Sequence, residues 1–274
     1  MIANLLIGAG AMKAGSTWLY KQLEKHPNIH FTPEKEIHYF SSNEEWGNKL
    51  RRRDRNRRLN KAIRAQCSEK MIAWYERYAQ PDELTNEWYS SLFEGVDSDV
   101  YCADFSNQYS LLDIEALQCI KQISSNVKVI YTLRDPLERL WSHVKFHYKF
   151  KGQEDRVDII GIRAFRKLLE LPWFWKNTDY VANYDRLMAV FGEANVKLFY
   201  LDDFIASPQD SLWQLEAFLE ISHMDYHLAS AKRKFNTTKE LAMPNQWQRM
   251  AMIKLKPQYQ ALAERGLLHP NWTY

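Results

Sequence analysis

The sequence predicts an α/β fold: a single domain with a central parallel sheet flanked by helices. Three observations support this prediction. Apolar, β-rich runs occur at residues 4–7, 127–133 and 196–201, and a segment with helical spacing follows each run. Strands that alternate with helices are typical of a parallel sheet covered on both faces. Because the chain has no fixed-period repeat and no low-complexity linker, we expect one domain over residues 1–274.

The first strand-to-helix unit opens the chain. Residues 4–7 form a short apolar run that ends in Gly8-Ala9-Gly10. Residues 16–25 then have helical spacing, and this segment stops before a proline at position 27. A strand, a glycine-containing loop and a helix in this order are the context in which a glycine motif becomes credible.

The second unit begins with residues 127–133, a continuous run typical of a buried parallel strand. Asp135 can cap the following helix and Pro136 can occupy its first turn, so we expect a helix that extends to about Phe150. The side chain that directly follows the strand belongs to Arg134. This strand-to-helix unit therefore places an arginine at the end of a buried strand.

The third unit begins with residues 196–201 and continues through Asp202-Asp203. After Ser207-Pro208, a helix is predicted through residue 219. Together, the three units predict the parallel strands of the sheet and helices that cover it.

Composition limits the classes of protein. Hydrophobic residues make up 46% and charged residues 26%, as in globular proteins, and the net charge of +3 fits an anionic ligand without requiring nucleic acid. Cys67, Cys102 and Cys119 show no C-x-x-C spacing and predict reduced thiols in a cytoplasmic protein. No apolar run has the length of a membrane span, and the apolar opening is interpreted as a strand.

A basic segment interrupts the pattern. Residues 49–64 carry nine basic side chains and one aspartate, within a predicted variable insertion at residues 43–85. One interpretation is a solvated, arginine-rich helix. The other is an anion-attracting lid that suits an acidic acceptor such as a polysaccharide or a nucleotide-linked sugar. A third hypothesis, nucleic-acid binding, predicts an affinity that collapses with salt, and we do not expect this partner.

The loop at residues 8–20, GAGAMKAGSTWLY, resembles a Walker A loop with a displaced lysine. Gly10 and Gly15 have the Walker spacing, but Ser16 stands where the lysine is expected, and Lys13 lies two positions before Gly15. Successive N–H groups and the helix start can still cradle a phosphate. Because strand 127–133 ends in an arginine and not in a metal-holding aspartate, the loop is expected to bind a compact phosphate group without a metal ion.

The segment Lys13-Ala14-Gly15-Ser16-Thr17-Trp18 resembles the 5′-phosphosulfate loop of sulfotransferases that use 3′-phosphoadenosine 5′-phosphosulfate (PAPS). Arg134 and Ser142 match the family's 3′-phosphate element in spacing and context. Residues 33–40 resemble the K-E-x-H-[FY]-F segment of the carbohydrate-type and bacterial members. The resemblance covers most of the chain except residues 43–85. It implies a P-loop-like sulfotransferase fold, PAPS as donor and 3′,5′-bisphosphoadenosine (PAP) as product.

The resemblance also implies roles for single residues of the donor site. Lys13 is expected to contact the bridging oxygen of the departing bisphosphate, and the alternative is a surface lysine in a turn. Ala14, Gly15, Ser16 and Thr17 are expected to cradle the 5′-phosphate, and the alternative for Gly15, Ser16 and Thr17 is a simple helix N-cap. Trp18 is expected to stack on the adenine, or else to belong to the core. Arg134 and Ser142 are expected to bind the 3′-phosphate, and the alternative for Arg134 is an ion pair with Asp135 or Glu138. Lys232 and Arg233 are expected to lie on a loop that closes over the 3′-phosphate, or else in a solvated charge run.

The acceptor hydroxyl requires a base. Glu36 matches the catalytic glutamate of the carbohydrate-type members, and His38 is the second candidate because histidine ordinarily titrates near neutral pH. An extended backbone would place both side chains on one face. A packed, hydrogen-bonded histidine is the alternative for His38. The aromatic run at residues 171–175 either lines the acceptor pocket or belongs to the core. Alternatives for the whole chain are a P-loop-type nucleotide kinase and a non-catalytic nucleotide- or glycan-binding protein.

Overall fold

The computed structural model describes residues 2–41, 50–153, 161–226 and 241–274, and it shows a parallel five-stranded sheet flanked by helices. The predicted fold class is confirmed. The strand order is β2-β3-β1-β4-β5. The strands are β1 (Ile2–Gly10), β2 (Ile29–Phe31), β3 (Tyr101–Asp104), β4 (Ser124–Leu133) and β5 (Val196–Tyr200).

Helices occupy most of the remaining described sequence. They are α1 (Ser16–Leu23), α2 (Arg52–Arg64), α3 (Glu69–Ala79), α4 (Asn86–Ser91), α5 (Ile114–Ile123), α6 (Pro136–Phe150), α7 (Ile162–Leu169), α8 (Pro172–Lys176), α9 (Tyr180–Phe191), α10 (Leu201–Ala206), α11 (Pro208–Leu219) and α12 (Asn245–Glu264). No helix in the described ranges has the length and apolar character needed to cross a membrane.

The three predicted strands all form. Strand β1 is longer than predicted in both directions, β4 begins three residues earlier, and β5 ends at Tyr200 because Leu201 starts α10. The predicted helices α6 and α11 have the expected bounds, whereas α1 ends at Leu23. Asp135 caps α6 by accepting a hydrogen bond from the backbone of Glu138, with Pro136 in the first turn, as predicted.

Strands β2 and β3 pair in parallel with each other, and β3 pairs in parallel with β1. In this register, Ile7 lies opposite Asp104 and Phe31 lies opposite Ala103. The carboxyl ends of the three strands therefore meet at one edge. The segments that follow β2 and β3 start from neighbouring positions in the fold.

Contacts within the chain divide it into two compact units. The first unit consists of the described parts of residues 1–9, 23–130 and 187–197. The second unit consists of the described parts of residues 10–22, 131–186 and 198–274. Each unit has its own fully buried apolar side chains. In the first they include Leu5, Leu6, Tyr89, Leu117 and Ile120, and in the second Leu140, Val144, Phe174, Leu212 and Leu255. The single-domain organisation stays a prediction.

Helices α2 and α3 lie in the first unit and pack against each other. Arg55 and Ala62 form the buried face of α2, and the Arg55 guanidinium donates to the carbonyls of Leu50 (3.0 Å) and Tyr78 (2.8 Å). These hydrogen bonds give N–H donors of Arg55 partners, although the residue is only 1% exposed. The basic segment therefore forms an ordered helix over its described part. Lys49 lies outside the described residues.

Candidate active site

The loop between β1 and α1 has a backbone that few residue types tolerate. Its φ angles are positive at Gly10 (123°), Lys13 (71°) and Gly15 (96°). A Cβ atom at Gly15 would lie 2.7 Å from the Leu201 Cδ1 atom. The left-handed backbone favours glycine at position 15, and a larger residue would also have to displace the end of the Leu201 side chain. The loop is thus held in a specific shape.

Two hydrogen bonds fix the loop within the second unit. The Ala11 N–H donates to the Thr132 carbonyl at the end of β4 (2.9 Å). The Met12 N–H donates to Oδ1 of Asn177, a buried side chain (3.3 Å). Because Arg134 follows Thr132 by two residues, the loop and Arg134 emerge from adjacent strand ends. That the loop and Arg134 bind one donor stays a prediction.

Lys13 is half-buried and contacts helix α6. Its Nζ atom lies 4.6 Å from the centroid of the Phe146 ring, in a cation–π contact. Phe146 is four residues after Ser142, so the two side chains share a helix face. The ammonium therefore lies over the face of α6 that carries Ser142. Lys13, Arg134 and Ser142 all belong to the second unit.

Arg134 forms an ion pair with Glu138. Its Nη2 atom donates to the Glu138 Oε2 atom (3.2 Å), and the two side chains are 26% and 62% exposed. The alternative prediction of an ion pair with Glu138 is thus confirmed. Such a partly exposed pair contributes about 0–1 kcal/mol, so a phosphate can displace the carboxylate at small cost. The Tyr180 hydroxyl donates to the Arg134 carbonyl (2.8 Å) and fixes the backbone there.

Arg139 is fully buried on α6. Its Nη2 atom donates to the Phe174 carbonyl (2.9 Å) and to the Thr178 hydroxyl. Burial lowers the pKa of nearby His143 well below its ordinary value, and the charges of Arg139 and Lys13 lower it further. His143 is therefore neutral near pH 7. The positive charges along this part of the second unit come from lysine and arginine.

Ser16 and Thr17 form the first turn of α1, where backbone N–H groups lack intrahelical partners. Both residues are half-buried, as is Trp18. The Trp18 ring packs 5.2 Å from the ring of buried Phe204, so part of its surface belongs to the core. Adenine stacking by Trp18 stays a prediction, as do the phosphate contacts of Ser16 and Thr17.

Glu36 and His38 follow β2 in the first unit, on a segment that is not extended. Their φ angles are 62° and 59°, in the left-handed region that non-glycine residues rarely adopt. The extended backbone expected from the sequence is wrong. The side chains nevertheless approach each other, with 3.8 Å between the Glu36 Oε2 and His38 Nε2 atoms. Strained backbone that persists at such positions is typical of functional sites.

Three groups hold the Glu36 carboxylate. Its Oε1 atom accepts from the Asn107 amide at 2.7 Å and from the Lys35 ammonium at 3.2 Å, while Oε2 faces His38. The side chain is 21% exposed, and its role as the base stays a prediction. The arrangement orients a carboxylate with one oxygen engaged by donors.

His38 is buried and bonded on several sides. Its backbone N–H donates to the Ser106 Oγ atom (2.9 Å), and its Nδ1 atom lies 3.3 Å from the Ser41 Oγ atom. The Ser106 hydroxyl donates to the Asp104 carboxylate (2.6 Å). These contacts are those of the packed histidine described above as the alternative. A catalytic role for His38 stays a prediction.

Asp104 lies at the end of β3 and is fully buried. It also accepts hydrogen bonds from the hydroxyls of Tyr109 (2.8 Å) and Tyr89 (3.2 Å). Burial raises the pKa of Asp104, and the hydrogen bonds from Ser106, Tyr109 and Tyr89 oppose this rise. The network fixes the backbone beneath His38.

Asn107 and Asn177 are site residues that the sequence did not reveal. Each bonds a segment distant in sequence, since Asn107 reaches Glu36 and Asn177 reaches the phosphate-type loop. The one signal for Asn107 is the run Asp104-Phe105-Ser106-Asn107 at the end of strand β3, in which three of the four residues are polar. No comparable signal marks Asn177, which follows an aromatic run.

The remaining predicted positions have mixed outcomes. Lys232 and Arg233 lie outside the described residues. In the aromatic run, Phe174 is fully buried and belongs to the core, whereas Trp173 and Trp175 are half-buried. The acceptor-pocket role of this run stays a prediction.

Comparison with solved structures identifies the architecture. A sulfotransferase from Alicyclobacillus acidocaldarius has 19% identity and a TM-score of 0.65, over 97% of this chain and 96% of that chain. The sulfotransferase domain of the curacin biosynthetic pathway has 14% identity and a TM-score of 0.54, over 93% and 98%. The sulfotransferase domain of the Synechococcus PCC 7002 olefin synthase has 15% identity and a TM-score of 0.52, over 90% and 82%. At these identities, the similarity shows a shared fold.

Comparison at the level of sequence identifies the family. No curated protein matches the chain significantly. A sequence model of the sulfotransferase family matches residues 6–225, which is most of the chain and includes the phosphate-type loop, the Glu36 segment and helix α6. This chain therefore belongs to the sulfotransferase family.

Proposed function

We propose that this sulfotransferase moves the sulfuryl group of PAPS to a hydroxyl of a carbohydrate acceptor, without a metal ion. The hydrogen bond between the Ala11 N–H and the Thr132 carbonyl carries the proposal. It brings the phosphate-type loop beside the strand end that precedes Arg134. A doubly phosphorylated nucleotide needs cationic or N–H donors for each of its two phosphates, and two neighbouring strand ends could supply one set each.

Each end of the donor is assigned to its own residues. Lys13 faces the sulfuryl end, and Ala14, Gly15, Ser16 and Thr17 hold the 5′-phosphate through backbone N–H groups and hydroxyls. Arg134 and Ser142 hold the 3′-phosphate, the guanidinium through charge-assisted hydrogen bonds. Trp18 stacks on the adenine, and Lys232 or Arg233 covers the 3′-phosphate.

The reaction is an in-line substitution at sulfur. The acceptor oxygen forms a bond to sulfur as the bond from sulfur to the bridging oxygen breaks, and PAP departs with the electron pair. Glu36, with His38 as the alternative, takes the proton of the acceptor hydroxyl. The Lys13 ammonium stabilises the negative charge that develops on the bridging oxygen. The chain's residues thus position the reactants and balance charge.

PAP is expected to raise the melting temperature of the protein in the absence of magnesium. A ligand that binds only the folded state stabilises it by RT ln(1 + [L]/Kd), which is about 2.7 kcal/mol at 100 times Kd. Thermal shift with PAP, ATP and ATP plus magnesium measures this. Greater stabilisation by ATP with magnesium would contradict the proposal and favour a nucleotide kinase. Failure to consume labelled PAPS in the presence of any acceptor would favour a non-catalytic binding protein.

The proposed location is the cytoplasm. Cys67, Cys102 and Cys119 are all free thiols. Burial raises the pKa of Cys102 to about 12, so this group stays a thiol near pH 7. Reduced cysteines are typical of cytoplasmic proteins.

A further inference from the structure

The ammonium of Lys13 lies over an aromatic ring that the proposed reaction does not yet use. The ring belongs to Phe146, a half-buried residue in the last third of α6. The distance from the Lys13 Nζ atom to the ring centroid is 4.6 Å, and a ring face attracts an ammonium at this range. Both residues belong to the second unit. The contact therefore joins the proposed catalytic lysine to the helix that carries Ser142.

A catalytic lysine needs contacts that hold its ammonium in one place. The lysine stem is flexible, and ordering it costs conformational entropy. The hydrogen bonds of Ala11 and Met12 fix the backbone of the loop, whereas the Phe146 ring acts on the ammonium itself. A displacement of about 1 Å in an active site can cost on the order of 10²-fold in rate. A group that restrains the ammonium therefore affects the rate without touching the donor.

Helix α6 also contributes positive charge near Lys13. Arg139 is fully buried on this helix, and the charges of Arg139 and Lys13 both lower the pKa of His143. The two cations therefore lie near a common side chain, and like charges repel. The Phe146 ring attracts the ammonium and carries no formal charge. A carboxylate at this place would instead repel the bisphosphate that departs in the proposed reaction.

The Phe146 ring belongs to an aromatic continuation of one helix face. Ser142, Phe146 and Phe150 follow one another at i, i+4 spacing, so they lie along the same face of α6. The Phe150 ring packs 6.2 Å from the Phe146 ring, at an interplanar angle of 31°. Phe150 is 83% exposed. Phe146 thus stands between a predicted phosphate ligand and a surface aromatic residue along the helix.

From these observations we infer that Phe146 is a positioning residue for sulfuryl transfer. The face of its ring holds the Lys13 ammonium at the place where negative charge develops on the bridging oxygen. The inference rests on the proposed function, because Lys13 has this role only if the chain transfers a sulfuryl group from PAPS. Phe146 acts through Lys13 and not through a contact with the reacting atoms.

Substitution of Phe146 tests the inference, with radiolabelled PAPS as the donor, methyl glucoside in water as the acceptor, and consumption of PAPS as the readout. Phe146→Leu removes the ring and keeps an apolar side chain, and we expect the rate at saturating PAPS to fall about 10-fold. Phe146→Tyr keeps an aromatic face and should stay within about threefold of the wild type. The matched control, Phe150→Leu, makes the same change four residues further along α6 and should also stay within about threefold.

Fluorinated phenylalanines at position 146 separate the attraction of the ring face from packing. One, two and three fluorine atoms weaken the negative potential of the ring face stepwise, whereas the size of the ring changes little. We expect the rate to fall stepwise along this series, while PAP raises the melting temperature of every variant by the same amount. A rate that is independent of fluorination would overturn the inference. So would a Phe146→Leu variant that PAP no longer stabilises, because the loss would then be one of donor-site structure.

The wild type separates failure of this inference from failure of the proposed function. A wild type that PAP does not stabilise, or that consumes no labelled PAPS, contradicts the proposed function and this inference with it. A wild type that consumes PAPS at a rate matched by Phe146→Leu contradicts only the role of Phe146.

Discussion

Replacement of Lys13 by alanine is expected to lower the rate constant for sulfuryl transfer by about 10²- to 10³-fold, the usual effect of removing one charge-stabilising donor. The ammonium is placed over the Phe146 ring, on the helix face that carries Ser142, and the substitution removes the only basic side chain of the loop at residues 8–20. Single-turnover measurement with labelled PAPS separates this loss from any effect on product release.

The fold of the Lys13→Ala variant is expected to survive. Alanine and lysine tolerate the positive φ at position 13 about equally, and the hydrogen bonds of Ala11 and Met12 do not involve the lysine side chain. Lys254→Ala is the matched control, because Lys254 Nζ also lies over an aromatic ring, 5.3 Å from the Trp175 centroid. Transfer within threefold of the wild-type rate in Lys13→Ala would show that the lysine has no catalytic role.

Replacement of Glu36 by glutamine is expected to slow transfer by about 10²- to 10⁴-fold, the range for loss of a general base. Glutamine keeps the shape of the side chain and an oxygen that can accept from Asn107. A base must be unprotonated to act, so the wild-type rate should rise with pH through the acidic range and the variant rate should be independent of pH there. A pH profile of the single-turnover rate measures both.

Two variants sharpen the Glu36 experiment. Glu34→Gln is the matched control, because Glu34 lies in the same segment as Glu36. Its carboxylate pairs with Arg58 and has no proposed contact with the acceptor hydroxyl. We expect it to lose less than about 10-fold. A His38→Gln variant that abolishes the pH dependence, while Glu36→Gln retains it, would assign the base to His38.

The elements predicted best were those with a continuous apolar run or a clear helix start. Strands β1, β4 and β5 follow from such runs, and α6 follows from the Asp135-Pro136 start. Strands β2 and β3 have only three and four residues, so periodicity cannot mark them. Their pairing with each other and with β1 depends on contacts between distant parts of the chain.

The candidate site residues that belong to a sequence motif could be predicted, whereas the local backbone conformation, which depends on tertiary packing, could not. Lys13 and Gly15 are recognisable in the sequence from the loop motif, and Arg134 from its position directly after an apolar run. The left-handed backbone at Glu36 and His38 is not, because non-glycine residues adopt it only when tertiary contacts such as those of Asn107 and Ser106 support it.

The central claim, that Arg134 and the Lys13 loop hold opposite ends of one nucleotide, is tested most directly by calorimetric titration of PAP and of adenosine 5′-monophosphate, which lacks the 3′-phosphate. A charge-assisted hydrogen bond contributes about 1.5–3 kcal/mol, so we expect wild-type protein to prefer PAP by about 10- to 100-fold. Arg134→Ala should remove most of this preference, whereas Glu138→Gln, which breaks the Arg134 ion pair without removing the guanidinium, should keep it. Equal affinity of the wild type for the two nucleotides, or a PAP preference undiminished in Arg134→Ala, would contradict the claim.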